Sequence, residues 1–238
     1  MAVVLVDLRG ARQHEAREAR LHARQHGVDA GMAVARHHGI TIAAGLGPGA
    51  RDAGAIDGVR GEKTDQALAQ FIADNNIPCE MEVVDILKGA HYGPEYSAKN
   101  PNRLVPMLED GDFRLTESAT ILRYLAEKVG SPAYPKDLKQ RARVNEAMDW
   151  FNSNFYKDWG YGLVYPQLFP HHKRPDDTVH AGGIAWAQDR CKVWLQVLND
   201  HWLAGNKKYI CGDQITVADY LGSAIMSIGE LIHCDLAK

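Results

Sequence analysis

The chain has 238 residues, 45% of them apolar and 24% charged, with a net charge of −3. That balance describes a soluble globular protein and gives no electrostatic case for nucleic acid or an acidic membrane surface. Four scattered cysteines without a CxxC pair argue against a zinc site or disulfide framework, and no apolar run reaches the ~18 residues of a membrane span.

Residues 1–62 stand apart in composition. They hold no Phe, Trp, Tyr, Lys, Ser or Cys and are built of Ala, Gly, Arg and His, as in EAREARLHARQHG. A buried large apolar side chain stabilises a fold by roughly 1.5–3 kcal/mol, and few are available here. This stretch is expected to be an atypical extension, weakly packed or disordered. Its five histidines are too irregularly spaced for a metal site.

From Lys63 the pattern tightens. TDQALAQFIADNN places Leu68, Phe71 and Ile72 at helical spacing behind Thr64 or Asp65 as N-cap. EMEVVDI reads as a strand, and LVPML and FRL as a hairpin turned by EDGD. The helix SATILRYLAEKVG ends on Lys128 and Gly130, and SPAYP is a linker. Helices then fill 136–238. LKQRARVNEAMDWFNSNF is amphipathic, and AGGIAWAQDRCKVWLQVLNDHWL carries Trp186, Val193, Trp194 and Leu198 on one side. In QITVADYLGSAIMSIGELI, Thr216 and Asp219 form a capping box with Ile215 and Tyr220 placed as a staple.

Three stretches carry a resemblance: residues 83–128, with DILKGAH, NPxxxVP, EDGDF and LTESATIL in order; residues 134–150; and YICGDQITVADY. Together they resemble the glutathione S-transferase family, theta-like class, over residues 63–238. The resemblance implies an α/β thioredoxin-like domain over 63–130, itself incomplete, followed by an all-α domain over 136–238. It implies glutathione as co-substrate with no metal, a small electrophile as partner, a homodimer in the cytoplasm, and no nucleic acid or membrane partner.

Site residues follow from the same resemblance. A cis Pro106 would let the main chain of Val105 pair with the cysteinyl backbone of glutathione, although a trans proline at a strand edge is the plain alternative. Leu104 precedes that pair where many relatives carry lysine, with Arg103 one position away. Glu117 and Ser118 stand at a helix mouth, where backbone N–H groups attract a carboxylate and Glu117 can hold an ammonium. His91 would reach the glycyl carboxylate, and Asn145 matches an aspartate that faces glutathione across the dimer. The aromatic stretch Trp150–Phe169 would line the pocket for an apolar co-substrate.

The thiol chemistry needs a hydroxyl beside the sulfur, because a free thiol with a pKa of roughly 8.5 is little ionised at neutral pH. Alignment to the family sets Glu62 at that position and Asp65 three residues later, and an ionised glutamate repels a thiolate. The only hydroxyls before Cys79 are Thr41 and Thr64. VVLVDL (3–8) or GITIAAGLGPG (39–49) could replace the missing first strand, but an absent strand is the favoured reading. The chain also stops at CDLAK where the family continues with a further helix, so an altered or truncated member with a partly uncovered AIMSIGELI face is expected. A non-catalytic binding module, such as a subunit of a translation elongation complex with a similar fold, is the alternative to an enzyme.

Overall fold

The computed structural model describes residues 5–6, 40–44, 59–85 and 88–234. Two short strands, β1 (Leu5–Val6) and β2 (Ile40–Ala44), precede helix α1 (Val59–Asp74) and strand β3 (Glu80–Val83). A six-residue helix α2 (Pro94–Lys99) leads to the hairpin β4 (Met107–Asp110) and β5 (Phe113–Thr116), and helix α3 (Ser118–Val129) closes the unit. The sheet order is β1-β3-β2-β4-β5.

The first strand is therefore present, which corrects the sequence-based reading. Ile40–Ala44 lies in the middle of the sheet, parallel to β3 and antiparallel to β4. Leu5–Val6 pairs antiparallel with the outer side of β3, so both candidate stretches contribute strands. The physical reason is economy of length. ITIAA needs only five residues to satisfy hydrogen bonds on both sides, and its two isoleucines and threonine suit a strand. A composition poor in aromatics over 62 residues does not bear on so short an element. The remainder of 1–62, including the histidines and the expected weak packing, lies outside the described residues up to Val59. Helix α1 starts there, ahead of the expected caps at Thr64 or Asp65, and Glu62 falls within it rather than at the end of a strand.

In the hairpin, Asp110 pairs with Phe113, and Gly111 takes φ 68° in the tight turn, a conformation that glycine adopts without steric penalty. Gly130 closes α3 at φ 66°, its N–H donating to the carbonyls of Ala126 and Glu127. Leu68, Phe71, Ile121, Leu122 and Leu125 fill the space between α1, α3 and the sheet, all fully buried.

The helical half begins with α4 (Leu138–Trp150), whose N-cap Asp137 accepts a hydrogen bond from the Gln140 N–H at 2.9 Å. The chain continues through wide π-helical turns (Phe151–Phe155 and Lys157–Val164) into α5 (Tyr165–Leu168). Helix α6 (Asp177–Val197) runs on into a π turn, Leu198–Trp202, and α7 (Val217–Ser227) is followed by a 3-10 segment, Ile228–Ile232. Helix α6 starts at Asp177 behind the Asp176 cap, ahead of the expected Ala181. Along α6 and into its π turn, Ala187, Cys191 and Leu198 are buried and Trp194 packs half-buried against the core, so two of the four expected positions face inward while Trp186 and Val193 are exposed.

The Thr216–Asp219 capping box forms as expected. Ile215 is 40% exposed, however, and Tyr220 packs edge-on against Phe71 at 5.2 Å, so the staple partner lies on α1 instead. In the AIMSIGELI segment Ile225 and Ile228 are buried, whereas Met226, Leu231 and Ile232 are half-buried.

Helix α7 joins the two halves. The Tyr220 hydroxyl donates to Asp74 Oδ2 at 2.7 Å, and the Val217 N–H donates to the Ala133 carbonyl at 3.0 Å. Burial, and then the Asp74 carboxylate, hold the Tyr220 phenol well above the ordinary tyrosine range. The folded state thus keeps that proton more tightly than the unfolded chain. Its stabilising contribution is complete below about pH 10 and is lost as pH rises toward the folded value. Urea midpoints taken at pH 8 and at about pH 11 are expected to fall less for Tyr220→Phe than for the parent. Equal falls would refute the linkage.

Candidate functional site

A cleft of about 910 Å3 opens between the two halves. Its first wall is built by the loop that follows α2. Asn100 is buried, and its Nδ2 donates to the Leu104 carbonyl at 2.7 Å. The Tyr96 hydroxyl donates to the same oxygen at 2.6 Å, and the Asn102 N–H donates to Asn100 Oδ1 at 3.1 Å. Both lone pairs of the Leu104 carbonyl are thereby engaged, leaving its N–H and its 58% exposed side chain for any ligand. The peptide between Val105 and the buried Pro106 is cis, as the resemblance implied. Neither the N–H nor the carbonyl of Val105 has a hydrogen-bond partner among the described residues.

The mouth of α3 adjoins this loop. Glu117 is its N-cap at φ 68°, ψ 111°, a conformation that costs a non-glycine residue of order 1–3 kcal/mol. The Glu117 carbonyl accepts from the Ile121 N–H at 2.9 Å, while the N–H groups of the first turn have no intrahelical acceptor. With the helix dipole they make a site for a carboxylate. His91 and Tyr92 come from a 3-10 turn after Gly89, their rings 3.9 Å apart.

The second wall comes from the helical half: Tyr156, Tyr161, Phe169, His171, Leu221 and Ile225. Phe169 stacks on His171 at 5.6 Å. Of the aromatic stretch Trp150–Phe169, only Tyr156, Tyr161 and Phe169 face the cleft. Phe151, Phe155, Trp159 and Tyr165 are core residues.

The cleft brings together His91, Leu104, Val105, Pro106, Glu117 and Ser118, the six residues expected from the sequence, and adds Arg103. Asn145 does not line it; its Oδ1 accepts from the Tyr134 hydroxyl at 3.1 Å. Sequence reasoning missed Tyr96 and Asn100, which pin the loop, and His171, which no motif marks. The lining supplies one guanidinium, two imidazoles and one carboxylate, a set suited to a ligand carrying both carboxylate and ammonium groups. Two of the protein's own thiols, the half-buried Cys79 and the buried Cys191, are poor nucleophiles. Burial pushes Cys79 up to about 11 and, with the Asp158 charge, Cys191 up to about 12.

Comparison with known proteins agrees with this geometry. The profile described as "Glutathione S-transferase, N-terminal domain" matches residues 72–133. Human glutathione S-transferase theta-1 is 36% identical over 170 residues, covering 71% of this chain and 68% of its own length. Mouse glutathione S-transferase theta-2 is 36% identical over 172 residues, 71% of this chain and 66% of the relative. The solved structure of human glutathione transferase theta-2, in complex with glutathione and an unknown ligand, superposes with a TM-score of 0.63. It is 31% identical and covers 73% of this chain and 71% of that one. Human glutathione-S-transferase T1-1 in its apo form gives 0.60 at 31% identity, with 73% and 72% covered. Fold, cleft and relatives agree that this chain belongs to the glutathione S-transferase family, on its theta-like branch.

Proposed function

We propose that this chain joins the thiol of glutathione to small apolar electrophiles, as a cytoplasmic homodimer engaged in detoxification. The observation that carries the reading is the shared cleft: the cis-proline loop and the α3 mouth form one wall, and an aromatic surface forms the other. Val105 would pair through its main chain with the cysteinyl residue. Ser118 and the first-turn N–H groups would hold the γ-glutamyl carboxylate, Glu117 its ammonium, and His91 with Arg103 the glycyl carboxylate. The thiolate would then attack an electrophile resting on Tyr161, Phe169, Leu221 and Ile225.

Immobilised glutathione is expected to retain the purified protein, and an aryl or benzyl halide is expected to be conjugated with a glutathione KM between about 1 μM and 1 mM. Retention without turnover would leave only a binding module. A well-folded protein that is not retained would overturn the site assignment.

A further inference from the structure

Two cationic side chains of the first wall are each followed along the chain by an exposed apolar one. His91 precedes Tyr92, and Arg103 precedes Leu104. Tyr92 is 64% and Leu104 58% exposed, and neither packs against the hydrophobic core. All four line the cleft. Helix α2 ties the two segments together. It starts just past the Ala90–Tyr92 turn, and its Tyr96 hydroxyl donates to the Leu104 carbonyl at 2.6 Å.

Both apolar side chains stand on a fixed backbone. The Tyr92 N–H donates to the Gly89 carbonyl at 2.9 Å, and the Tyr92 ring lies 3.9 Å from the His91 ring. The Arg103 N–H donates to the Asn100 carbonyl at 3.0 Å, with Arg103 at φ 53°. The Leu104 carbonyl is pinned from two sides, so its side chain is left in water. The Arg103 guanidinium has no hydrogen bond or ion pair among the described residues.

A glycyl residue uses only half of this surface. Its carboxylate suits His91 and Arg103, but it has no side chain to lay on Tyr92 and Leu104. Apolar area that stays wet contributes nothing to binding, whereas area covered by a ligand does. We propose that Tyr92 and Leu104 form an apolar lip, so that the protein prefers over glutathione a γ-glutamylcysteinyl tripeptide whose third residue carries an apolar side chain. The inference rests on the placement of glutathione proposed above. Charge and apolar surface define the occupant together: its last carboxylate meets His91 and Arg103, and its last side chain covers the lip. The γ-glutamyl and cysteinyl parts keep their places at the α3 mouth and at Val105.

Calorimetric titration of the full-length protein compares three thiols: glutathione, γ-glutamylcysteinyl-leucine, and the C-terminal amide of that leucine peptide. The leucine peptide is expected to bind about tenfold more tightly than glutathione. That is the low end of what an added apolar group gains in a pocket, because the lip is open to water. The amide is expected to bind about tenfold more weakly than the acid, since it keeps the side chain and gives up the charge. In the double variant Tyr92→Ala/Leu104→Ala, glutathione and the leucine peptide are expected to bind alike. Should that variant fail to fold, the three thiols on the parent protein decide the matter. A leucine peptide that binds no better than glutathione would overturn the proposal while leaving the placement of glutathione standing. So would an advantage that survives in the double variant, or an amide that binds as well as the acid. Binding of none of the three would overturn both.

Discussion

Glutathione affinity is expected to fall by roughly 10- to 100-fold in Glu117→Ala, measured by calorimetric titration. A hydrogen bond to a charged group contributes about 1.5–3 kcal/mol, and 1.4 kcal/mol is a factor of ten. The side chain is exposed and makes no capping hydrogen bond, so the fold has little use for its carboxylate. The backbone sharpens the test. Glu117 sits at φ 68°, where glycine is at ease and glutamate is not. Glu117→Gly is therefore expected to raise the urea midpoint, by the equivalent of about 1 kcal/mol, while weakening glutathione as much as Glu117→Ala does. Opposite signs for stability and binding would mark a position strained for its ligand. A parallel loss of both, or tight binding retained without the carboxylate, would refute the role.

The largest loss of stability is expected at Asp158→Ala, about 3 kcal/mol, or roughly 6–12 °C in melting temperature. Asp158 is 2% exposed within the π-helical segment. Its Oδ2 accepts from Trp194 Nε1 at 2.7 Å and lies 3.6 Å from Arg190 Nε, which tethers α6 to the cleft wall. Alanine would leave the indole N–H without this acceptor and the guanidinium without its counter-charge. Arg190 is partly exposed, which keeps the expected value at the low end for a broken pair. Asp158→Asn keeps an acceptor and should lose less than half as much. Thermal melts that rank asparagine and alanine alike would contradict this account.

The fold was legible from Lys63 onward because its signals are local: Leu68, Phe71 and Ile72 at helical spacing, the Asp-Gly turn, and the Thr216–Asp219 box. The six cleft residues were legible only through their likeness to a family, since nothing in the spacing of His91, Val105 and Glu117 reveals that they converge. Three features escaped. Ile40–Ala44 is a strand by virtue of its two neighbours, which a five-residue window cannot show. The α6 stripe was misread because Trp186 and Val193 are apolar yet point to solvent. The π winding of Lys157–Val164 departs from the 3.6-residue period by which a helix is read, and that period would separate Tyr156 from Tyr165, whose hydroxyls share a hydrogen bond.

The bolt formed by Tyr220 and Asp74, with Val217 held to Ala133, bears on the breadth of substrates that the protein can admit. Since α7 is secured to α1, the gap between the two faces of the cleft has a fixed gauge, and a bulkier guest cannot pry them apart. A change of electrophile would then proceed by whittling side chains such as Tyr161 and Phe169, leaving the frame untouched.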